Sequence, residues 1–547
     1  MGRLLTLHDP ASARRHYAAG VWRTDTLYAL LCRHADARPD AWALRDARRR
    51  LSWGALRRWV DAVAACLEEA GLRPGQRVAL WLPSRAEAVV AFLAAARNGL
   101  VAVPSLHQNY TVAEVVALAE RVAAAAFVGQ DGYGADGGRH DVFAHMRALP
   151  SMRRILRLTA SGDASFPDAA GALAPLGAAD EDPDKVVYLA FTSGTTGAPK
   201  GVMHSDNTLL ANGRAMVADW GHDRGTVLLS LSPMSHHIGT VALEQALVAG
   251  CELVVHDAAA GTKALDWMIA TGATYVMGVP THAIDVLAEA RRRGLERLGA
   301  VRVFYMAGSP IPRETAERFL AYGVTPQNVY GMTENGSHQY TLPSDAVETI
   351  VGTCGRACAA YEIALWDPEN PDHRAAPGTV GEIAGRGGCL MLGYFGNQAA
   401  TEESFNREGW FLSGDLGRID ERGCLVFVGR KKDLIIRGGH NIHPARIEDL
   451  AMRHPRILRA AAVPIPDERL GERVCLLVIT DDGGPIDGGE VLRHLDAAGL
   501  SRYDMPEHFL AMEAFPLTAS GKVLKRELAA WAREGRIAPV AVRWTGA

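Results

Sequence analysis

The chain has 547 residues, and its 58 basic and 62 acidic side chains give a formal net charge of −4 at pH 7. A chain of this length exceeds one ordinary hydrophobic core, so two or more domains are expected. The near balance of charge does not favour a nucleic-acid partner, which needs a basic face. Any bound polyanion must therefore be held by local groups.

The eight cysteines are scattered, and the spacing of Cys354 and Cys358 matches no zinc or redox motif. We expect reduced thiols in a cytoplasmic protein. The N-terminal residues do not resemble a secretory signal, and no apolar run reaches membrane-spanning length. The expected partners are small molecules, and the sequence is compatible with a homo-oligomer.

The first half of the chain alternates apolar strand-like runs with helical patterns. Residues 77–82 read as a buried strand, 87–97 as a helix and 101–103 as the next strand. This rhythm predicts an α/β fold with a largely parallel sheet and helices on its faces. Further strands of the same kind are predicted at 124–128, 252–256, 275–279 and 301–306.

The texture of the sequence changes near residue 415. Residues 416–420 and 424–428 predict a hairpin, and a helix is expected to begin at Pro444. The pattern beyond this point is a smaller α+β one. We predict a large N-terminal domain over 1–431 and a small C-terminal domain over 432–547.

A loop rich in hydrogen-bond donors follows the apolar strand predicted at 186–191. Within ten residues it holds four hydroxyl side chains, three glycines and a lysine. Glycines let backbone N–H groups approach a polyphosphate, and the lysine adds a cation. Pro199 and Gly201 flank the lysine, so the loop is not a Walker motif. The residues predicted to bind phosphate are Thr192, Ser193, Gly194, Thr195, Thr196, Gly197 and Lys200.

This loop resembles the signature of the adenylate-forming superfamily. That superfamily includes acyl- and aryl-CoA ligases, amino-acid-activating domains of peptide synthetases and firefly-type luciferases. The resemblance extends from roughly residue 25 to residue 530, with the motifs in the family's order. It implies a large adenylate-forming domain of layered sheets and helices and a small mobile C-terminal α+β domain.

The resemblance also implies how ATP and Mg²⁺ are bound. In the string from Tyr330 to Glu334, the aromatic ring packs on adenine, Thr333 contacts phosphate and Glu334, a hard oxygen ligand, holds the metal. Asp415 accepts hydrogen bonds from the ribose hydroxyls, and Arg430 contacts ribose or phosphate. The other residues implied in the nucleotide site are Gly308, Ser309, Pro310, Asn328, Val329, Gly331 and Met332.

Lys522 is the implied catalytic lysine of the first half-reaction. It would contact both the attacking carboxylate and the α-phosphate, stabilising the developing charge and aligning the reactants. Thr192, Glu334 and His236 complete the predicted catalytic set.

Residues 232–239 follow a strand and contain two adjacent histidines. Neighbours on a strand point to opposite faces, so His236 and His237 are not expected to chelate one ion. The resemblance places His236 at the acyl pocket, where amino-acid-activating domains carry an aspartate, which argues against an α-amino-acid substrate. The predicted pocket comprises His236, His237, Val279, Gly308, Gly331, Ser337 and His338.

Together these motifs predict an ATP-dependent acid–thiol ligase that forms an acyl-adenylate and transfers the acyl group to coenzyme A. The small domain would rotate about Lys432 between the two steps, bringing Gly438 and Gly439 to the site and leaving room for pantetheine. The alternatives are a ligase whose acceptor is a carrier-protein thiol and an inactive nucleotide-binding protein. Segments 104–111 and 335–340 resemble a branch acting on alicyclic acids; aromatic and medium-chain acids remain open.

Overall fold

The computed structural model describes residues 4–160, 165–167, 176–192, 199–257, 261–518 and 522–544. The strands are β1 (Trp42–Arg45), β2 (Arg50–Ser52), β3 (Arg77–Trp81), β4 (Val101–Val103), β5 (Ala124–Gln130), β6 (Arg154–Leu158), β7 (Val186–Thr192), β8 (Lys200–Ser205), β9 (Val227–Ser230), β10 (Glu252–Val255), β11 (Tyr275–Gly278), β12 (Val303–Met306), β13 (Thr325–Met332), β14 (Gly336–Tyr340), β15 (Arg356–Ala357), β16 (Tyr361–Trp366), β17 (Gly381–Gly387), β18 (Phe411–Ile419), β19 (Leu425–Arg430), β20 (Ile435–Arg437), β21 (His440–Ile442), β22 (Ile457–Asp467), β23 (Gly471–Thr480), β24 (His508–Ala511) and β25 (Val540–Ala541).

The helices are α1 (Pro10–Ala18), α2 (Leu27–Ala37), α3 (Trp53–Glu69), α4 (Ala86–Arg97), α5 (Val112–Arg121), α6 (Val142–Arg147), α7 (Asp206–Trp220), α8 (His237–Ala249), α9 (Ala264–Thr271), α10 (Pro280–Arg292), α11 (Arg313–Ala321), α12 (Val347–Gly352), α13 (Gln398–Glu402), α14 (Pro444–Met452), α15 (Gly488–Ala497) and α16 (Lys525–Arg533). In the part of the chain that the structure describes, none of them is long and apolar enough to cross a bilayer.

Two mostly parallel sheets form the large N-terminal part. One has the order β6-β5-β3-β4-β7-β8, and the other has the order β15-β14-β13-β12-β11-β9-β10-β1-β2. Within the first sheet only β7 and β8 pair antiparallel, and in the second the run from β13 to β1 is parallel. The predicted α/β class with a largely parallel sheet is confirmed.

Helices α4 and α8 share the largest hydrophobic core with side chains from both of these sheets. Every residue of α4 is buried. Apart from Glu87 and Arg97 its residues are apolar, and a helix that is hydrophobic all round is stable only where protein surrounds it. The two sheets and the helices between them therefore form one continuous core.

A four-stranded antiparallel sheet, β16 to β19, follows and includes the predicted hairpin, now β18 and β19. The last sheet, β20 to β25, and its two hydrophobic clusters consist only of residues after 434. Helix α14 begins at Pro444 as predicted. The division at 431/432 itself stays a prediction.

Candidate active site

The site lies where several parallel strands of the nine-stranded sheet end. The carboxyl ends of β9, β11, β12 and β13 meet at one edge, and ligands of open α/β sheets bind in the crevice there. Segments that are far apart in the chain therefore come together. They carry His236 after β9, Val279 after β11, Gly308 after β12 and Tyr330 within the end of β13.

The predicted phosphate loop joins two antiparallel strands. Thr192, the last residue of β7, pairs with Lys200, the first residue of β8, so the two stand opposite each other at the ends of the loop. The predicted ligands Ser193, Gly194, Thr195, Thr196 and Gly197 lie outside the described residues. The strand that precedes the loop is confirmed.

One tyrosine connects the phosphate lysine to the predicted metal carboxylate. The Lys200 ammonium lies 4.6 Å from the centre of the Tyr394 ring. The Tyr394 hydroxyl donates a hydrogen bond of 3.0 Å to Glu334 Oε1. Burial raises the pKa of the Glu334 carboxyl, and Lys200 acts in the opposite direction. A cation beside Glu334 would therefore favour its ionised form.

The string from Tyr330 to Glu334 is not the ordinary loop that its composition alone suggests. Tyr330, Gly331 and Met332 belong to β13 and pair with β14, and the chain turns only afterwards. A Cβ at Gly331 would lie 1.9 Å from the Gly336 carbonyl oxygen. Strand pairing this close accepts only glycine, and it fixes Tyr330 in β13 directly before the turn that carries Glu334.

A buried histidine holds that turn from behind. His204 Nε2 lies 2.7 Å from the Thr333 carbonyl oxygen, and its Nδ1 lies 3.0 Å from Thr208 Oγ1. Burial lowers the pKa of His204 to about 4. The neutral ring can therefore donate from Nε2 and accept at Nδ1, which satisfies both contacts.

The predicted ribose carboxylate is paired on both sides. Tyr330 Oη donates a hydrogen bond of 3.1 Å to Asp415 Oδ2, and Arg430 Nε lies 3.3 Å from Asp415 Oδ1. Asp415 and Arg430 face each other in the register of β18 and β19. Burial raises the pKa of Asp415, and Arg430 acts to lower it. The structure thus brings these three predicted nucleotide residues together.

The predicted adenine segments lie next to one another in the sheet. Gly308, at φ +92°, and the following Ser309 and Pro310 come directly after β12, and Asn328 and Val329 lie on the neighbouring β13. Asn328 donates from its side-chain nitrogen to the Ile350 carbonyl at 2.6 Å. Among the described residues its buried Oδ1 has no hydrogen-bond partner.

Lys522 reaches this site from the C-terminal part of the chain. A Cβ built on Gly308 would lie 3.2 Å from Lys522 Cε and 3.5 Å from Val279 Cγ1. The pKa of Lys522 falls to about 8, mainly through burial and secondly through Arg430. Asp415 and Glu334 are close enough to act in the opposite direction.

Contacts elsewhere hold the C-terminal part in this position. Arg291 of α10 pairs with Asp481 at 2.6 Å, and Asp285 of the same helix pairs with Arg459 of β22. The backbone N–H of Arg313 donates to Asp449 Oδ1 at 3.2 Å.

The two adjacent histidines lie at the start of a helix, and the expectation that they alternate on a strand is wrong. His236 is the N-cap of α8, and its Nδ1 accepts a hydrogen bond from the backbone N–H of Ile238 at 3.3 Å. The pKa of His236 is well below its usual value because of burial and of the nearby Lys522 and His107. No cluster of metal ligands occurs among the described residues.

The side chain of His237 has different neighbours from that of His236. The His237 ring stacks on His204 at 5.7 Å between centroids, and its Nδ1 lies 3.2 Å from the Tyr188 hydroxyl. His237 therefore packs in the layer behind the Thr333 turn, and its predicted place in the acyl pocket stays a prediction.

Ser337 and His338 have different surroundings. Ser337 Oγ lies 2.6 Å from the Tyr305 hydroxyl, whereas the His338 ring packs on Tyr361 at 4.1 Å and on Tyr330 at 5.7 Å between centroids. Ser337 therefore lies against Tyr305 of β12, and His338 lies beside Tyr330, the ring predicted to pack on adenine.

The predicted hinge and coenzyme A residues lie in short connecting segments. Lys432 belongs to the single 3₁₀ turn between β19 and β20. Gly438 and Gly439 form the two-residue loop between β20 and β21, at φ +58° and +84°. Positive φ at both positions is what a tight hairpin requires, so local geometry alone explains the two glycines.

A lysine next to Gly308 and within electrostatic reach of two carboxylates is suited to bringing an external carboxylate to a nucleotide phosphate. The residues predicted to contact base and ribose lie around it, at the ends of β12 and β13 and in the hairpin of β18 and β19. This arrangement defines an adenylate-forming enzyme.

Comparison with known families agrees with this class. The sequence model of the AMP-binding enzyme family matches residues 31–395, and that of the AMP-binding enzyme C-terminal domain matches residues 446–522. The first match alone covers more than half of the chain. The chain belongs to the AMP-binding enzyme family.

Relatives are similar over nearly their whole length. A medium-chain fatty-acid–CoA ligase of Escherichia coli K12 is 30% identical over 514 residues, covering 92% of this chain and 90% of the relative. A feruloyl-CoA synthase of Amycolatopsis is 32% identical over 506 residues, covering 91% and 97%. ATP-bound MatB from Rhodopseudomonas palustris superposes with a TM-score of 0.82 at 29% identity, covering 94% of this chain and 100% of that one.

Sequence reasoning missed Tyr394 and the local role of His107. His107 follows β4, and its Nδ1 lies 3.2 Å from Ser235 Oγ, beside His236. A histidine four residues after the end of the buried strand β4 was the available signal for His107. Tyr394 carries no such signal, because it lies 60 residues from Glu334 in the chain.

Proposed function

We propose that this protein is an AMP-forming carboxylate–CoA ligase. The observation that carries the proposal is the position of Lys522, which lies against Gly308 and within electrostatic reach of Asp415 and Glu334. An ammonium at this point can bind an incoming carboxylate and the α-phosphate at the same time.

In the first half-reaction, the acid's carboxylate attacks the α-phosphate of ATP and pyrophosphate leaves. Lys522 balances the charge that develops between the two reactants, and Asp415 holds the ribose. Asn328 Oδ1, which is buried and has no partner among the described residues, supplies an acceptor for the adenine amino group. Thr192 and Lys200 frame the loop that would bind the β- and γ-phosphates.

Magnesium fits the donor set at Glu334. Mg²⁺ is usually bound through one or two carboxylates together with substrate phosphates and waters. Glu334 supplies one carboxylate whose Oε1 is positioned by Tyr394, on the side where Lys200 approaches. When bound, the ion would neutralise phosphate charge. The side chain that would hold it is Glu334.

In the second half-reaction, the thiol of coenzyme A attacks the acyl carbonyl and AMP leaves. We propose that residues 432–547 act as a small domain that rotates near Lys432, which withdraws Lys522 and brings the Gly438–Gly439 hairpin to the site. The ion pairs of α10 with Asp481 and Arg459 support this idea, because exposed pairs hold a position without fixing it permanently. The expected acids are alicyclic, aromatic or medium-chain.

The decisive experiment measures AMP and pyrophosphate with ATP, Mg²⁺ and a panel of such acids, with and without coenzyme A. We expect an acid-dependent ATP–pyrophosphate exchange without the thiol and stoichiometric AMP and acyl-CoA with it. A carrier-protein acceptor instead predicts exchange with no acyl-CoA at any concentration of coenzyme A. Absence of exchange with every acid would refute the proposal.

A further inference from the structure

One buried carboxyl group is not explained by the adenylation chemistry. Glu244 lies in the middle of α8 with 1% of its surface exposed. Neither Oε1 nor Oε2 has a hydrogen-bond partner among the residues that the structure describes. Leaving a buried polar group unpaired costs roughly 1–3 kcal/mol, and more for a charged one. Burial raises the pKa of the Glu244 carboxyl well above its usual value and thereby favours the neutral, protonated form.

The position of Glu244 relates it to the predicted acid pocket. It follows the N-cap His236 by eight residues, which is about 12 Å along the axis of an α-helix, and it follows His237 by seven residues, so its side chain lies on the face of α8 that carries His237. His236 lies beside Lys522, where the carboxylate of the substrate must be. Helix α8 therefore leads from the reacting end of the acid towards Glu244.

The surroundings of Glu244 include residues near Ser337, which belongs to the predicted pocket. Glu244 is within electrostatic reach of Tyr305, whose hydroxyl lies 2.6 Å from Ser337 Oγ. The Ser337 backbone is itself fixed: Asn212 accepts from its N–H and donates to its carbonyl, both at 2.9 Å. A Cβ on Gly213 would lie 2.8 Å from Glu244 Cβ, so α7 packs closely against the base of this side chain.

We propose that Glu244 recognises a hydrogen-bonding substituent, a hydroxyl group, at the end of the substrate acid farthest from its carboxylate. A hydroxyl both donates and accepts, as does a protonated carboxyl group, so each can satisfy the other. The hydrogen-bonded hydroxyls of Tyr305 and Ser337 lie in the neighbourhood of Glu244. The inference rests on the proposed function and narrows its substrate class to hydroxylated acids, in place of plain alicyclic or alkyl acids.

The preference for a hydroxylated acid over a plain acid should be large, because the free-energy cost of an unpaired buried polar group falls on the complex with the plain acid. A pocket that pairs its buried polar groups with the substrate rejects an analogue lacking that group much more strongly than a hydrophobic pocket rejects an extra methylene. An acid without the hydroxyl would leave Glu244 unpaired in the complex.

The test uses matched pairs of acids that share one skeleton and differ in a distal hydroxyl. Suitable pairs are 10-hydroxydecanoate with decanoate, 3-(4-hydroxyphenyl)propanoate with 3-phenylpropanoate, and 4-hydroxycyclohexanecarboxylate with cyclohexanecarboxylate. The measurement is kcat/KM for ATP–pyrophosphate exchange. We expect at least one pair to favour the hydroxylated acid by about tenfold or more. The ratio is internal to each preparation, so partial inactivation of a variant does not affect it.

Glu244→Leu should remove or reverse that preference, and Glu244→Gln should keep part of it. Gln245→Leu is the matched control, since Gln245 is the adjacent buried polar residue and donates to the Val241 carbonyl at 3.3 Å. A second readout is the melting temperature without substrate. It should rise in Glu244→Leu, because the substitution removes an unpaired buried polar group.

Equal or better activation of the plain acid in every pair would overturn the inference, and so would a hydroxyl preference that Glu244→Leu leaves unchanged. Either result, obtained with active exchange, leaves the ligase assignment intact. No exchange with any acid would overturn both proposals.

Discussion

Lys522 gives the sharpest test of the proposed chemistry, because its protonation state should set the pH dependence of adenylation but not that of thioester formation. Its pKa is lowered to about 8, chiefly by burial. The protonated, active form is therefore about nine-tenths populated at pH 7 and about one-tenth at pH 9. The rate of adenylation should accordingly fall about tenfold as the pH rises from 7 to 9.

Two substitutions separate charge from titration. Lys522→Ala removes the cation aimed at the developing charge, and losses of about 10²–10³-fold are typical when one such group is removed. Lys522→Arg keeps a charge that does not titrate in this range. The arginine variant should therefore be slower than the parent yet lack the decline above pH 8.

The assay is kcat/KM for acid-dependent ATP–pyrophosphate exchange between pH 6.5 and 9.5, because this ratio reports the free enzyme. Lys263→Ala, which changes an exposed lysine, is the control. The thioester-forming step, measured with supplied acyl-AMP and coenzyme A, should be retained in Lys522→Ala. Equal loss of both steps, or an alkaline decline that persists in the arginine variant, would refute the reasoning.

Three further predictions follow from the site. Tyr394→Phe removes the hydrogen bond to Glu334 but keeps the ring beside Lys200. The affinity for ATP in the presence of Mg²⁺, measured by calorimetry, should fall roughly 10- to 100-fold, as expected when a hydrogen bond to a charged group is lost. An unchanged affinity would contradict this role of Tyr394. Gly331→Ala should lower the melting temperature and abolish ATP binding, whereas Gly138→Ala, whose Cβ meets no atom within 4 Å, should do neither. The double variant Asp285→Asn/Arg291→Gln should slow adenylation roughly 2- to 10-fold without slowing thioester formation, since exposed ion pairs contribute about 0.2–1 kcal/mol each; equal slowing of both steps would argue against a clamp specific to the first.

The sequence was sufficient to locate groups that sit at strand ends. Gly308 and His236 were assigned through the family resemblance, and each follows an apolar run; parallel strands bring their carboxyl ends to one edge whatever the chain does in between. Tyr330 does not follow such a run, since β13 begins with Thr325, Pro326 and Gln327, and its motif alone carried the assignment. Asp415 and Arg430 were also assigned through the resemblance, and the hairpin places them opposite each other. Local patterns encode such sites well.

Groups whose position depends on packing between distant segments could not be found in that way. Tyr394 contacts Glu334 only because the segment after β17 returns to the site. His236 and His237 are neighbours in the chain, yet the helix that begins at His237 turns consecutive side chains by about 100° each, and the His237 ring stacks on His204. The contacts of each histidine therefore depend on where the helix begins.

Glu244 is another residue whose surroundings could not be predicted from the local sequence, and its burial in the structure is what draws attention to it. A glutamate within a helical pattern is normally read as solvent-facing, but α8 is buried along most of its length. The predicted nucleotide residues lie at strand ends and in a hairpin, whereas the acid-recognition site proposed at Glu244 lies on α8 where it packs against α7. Substitution at Glu244 should therefore change which acid is used while the KM for ATP stays the same. That result would identify α8 as the element that determines acid selectivity independently of adenylation.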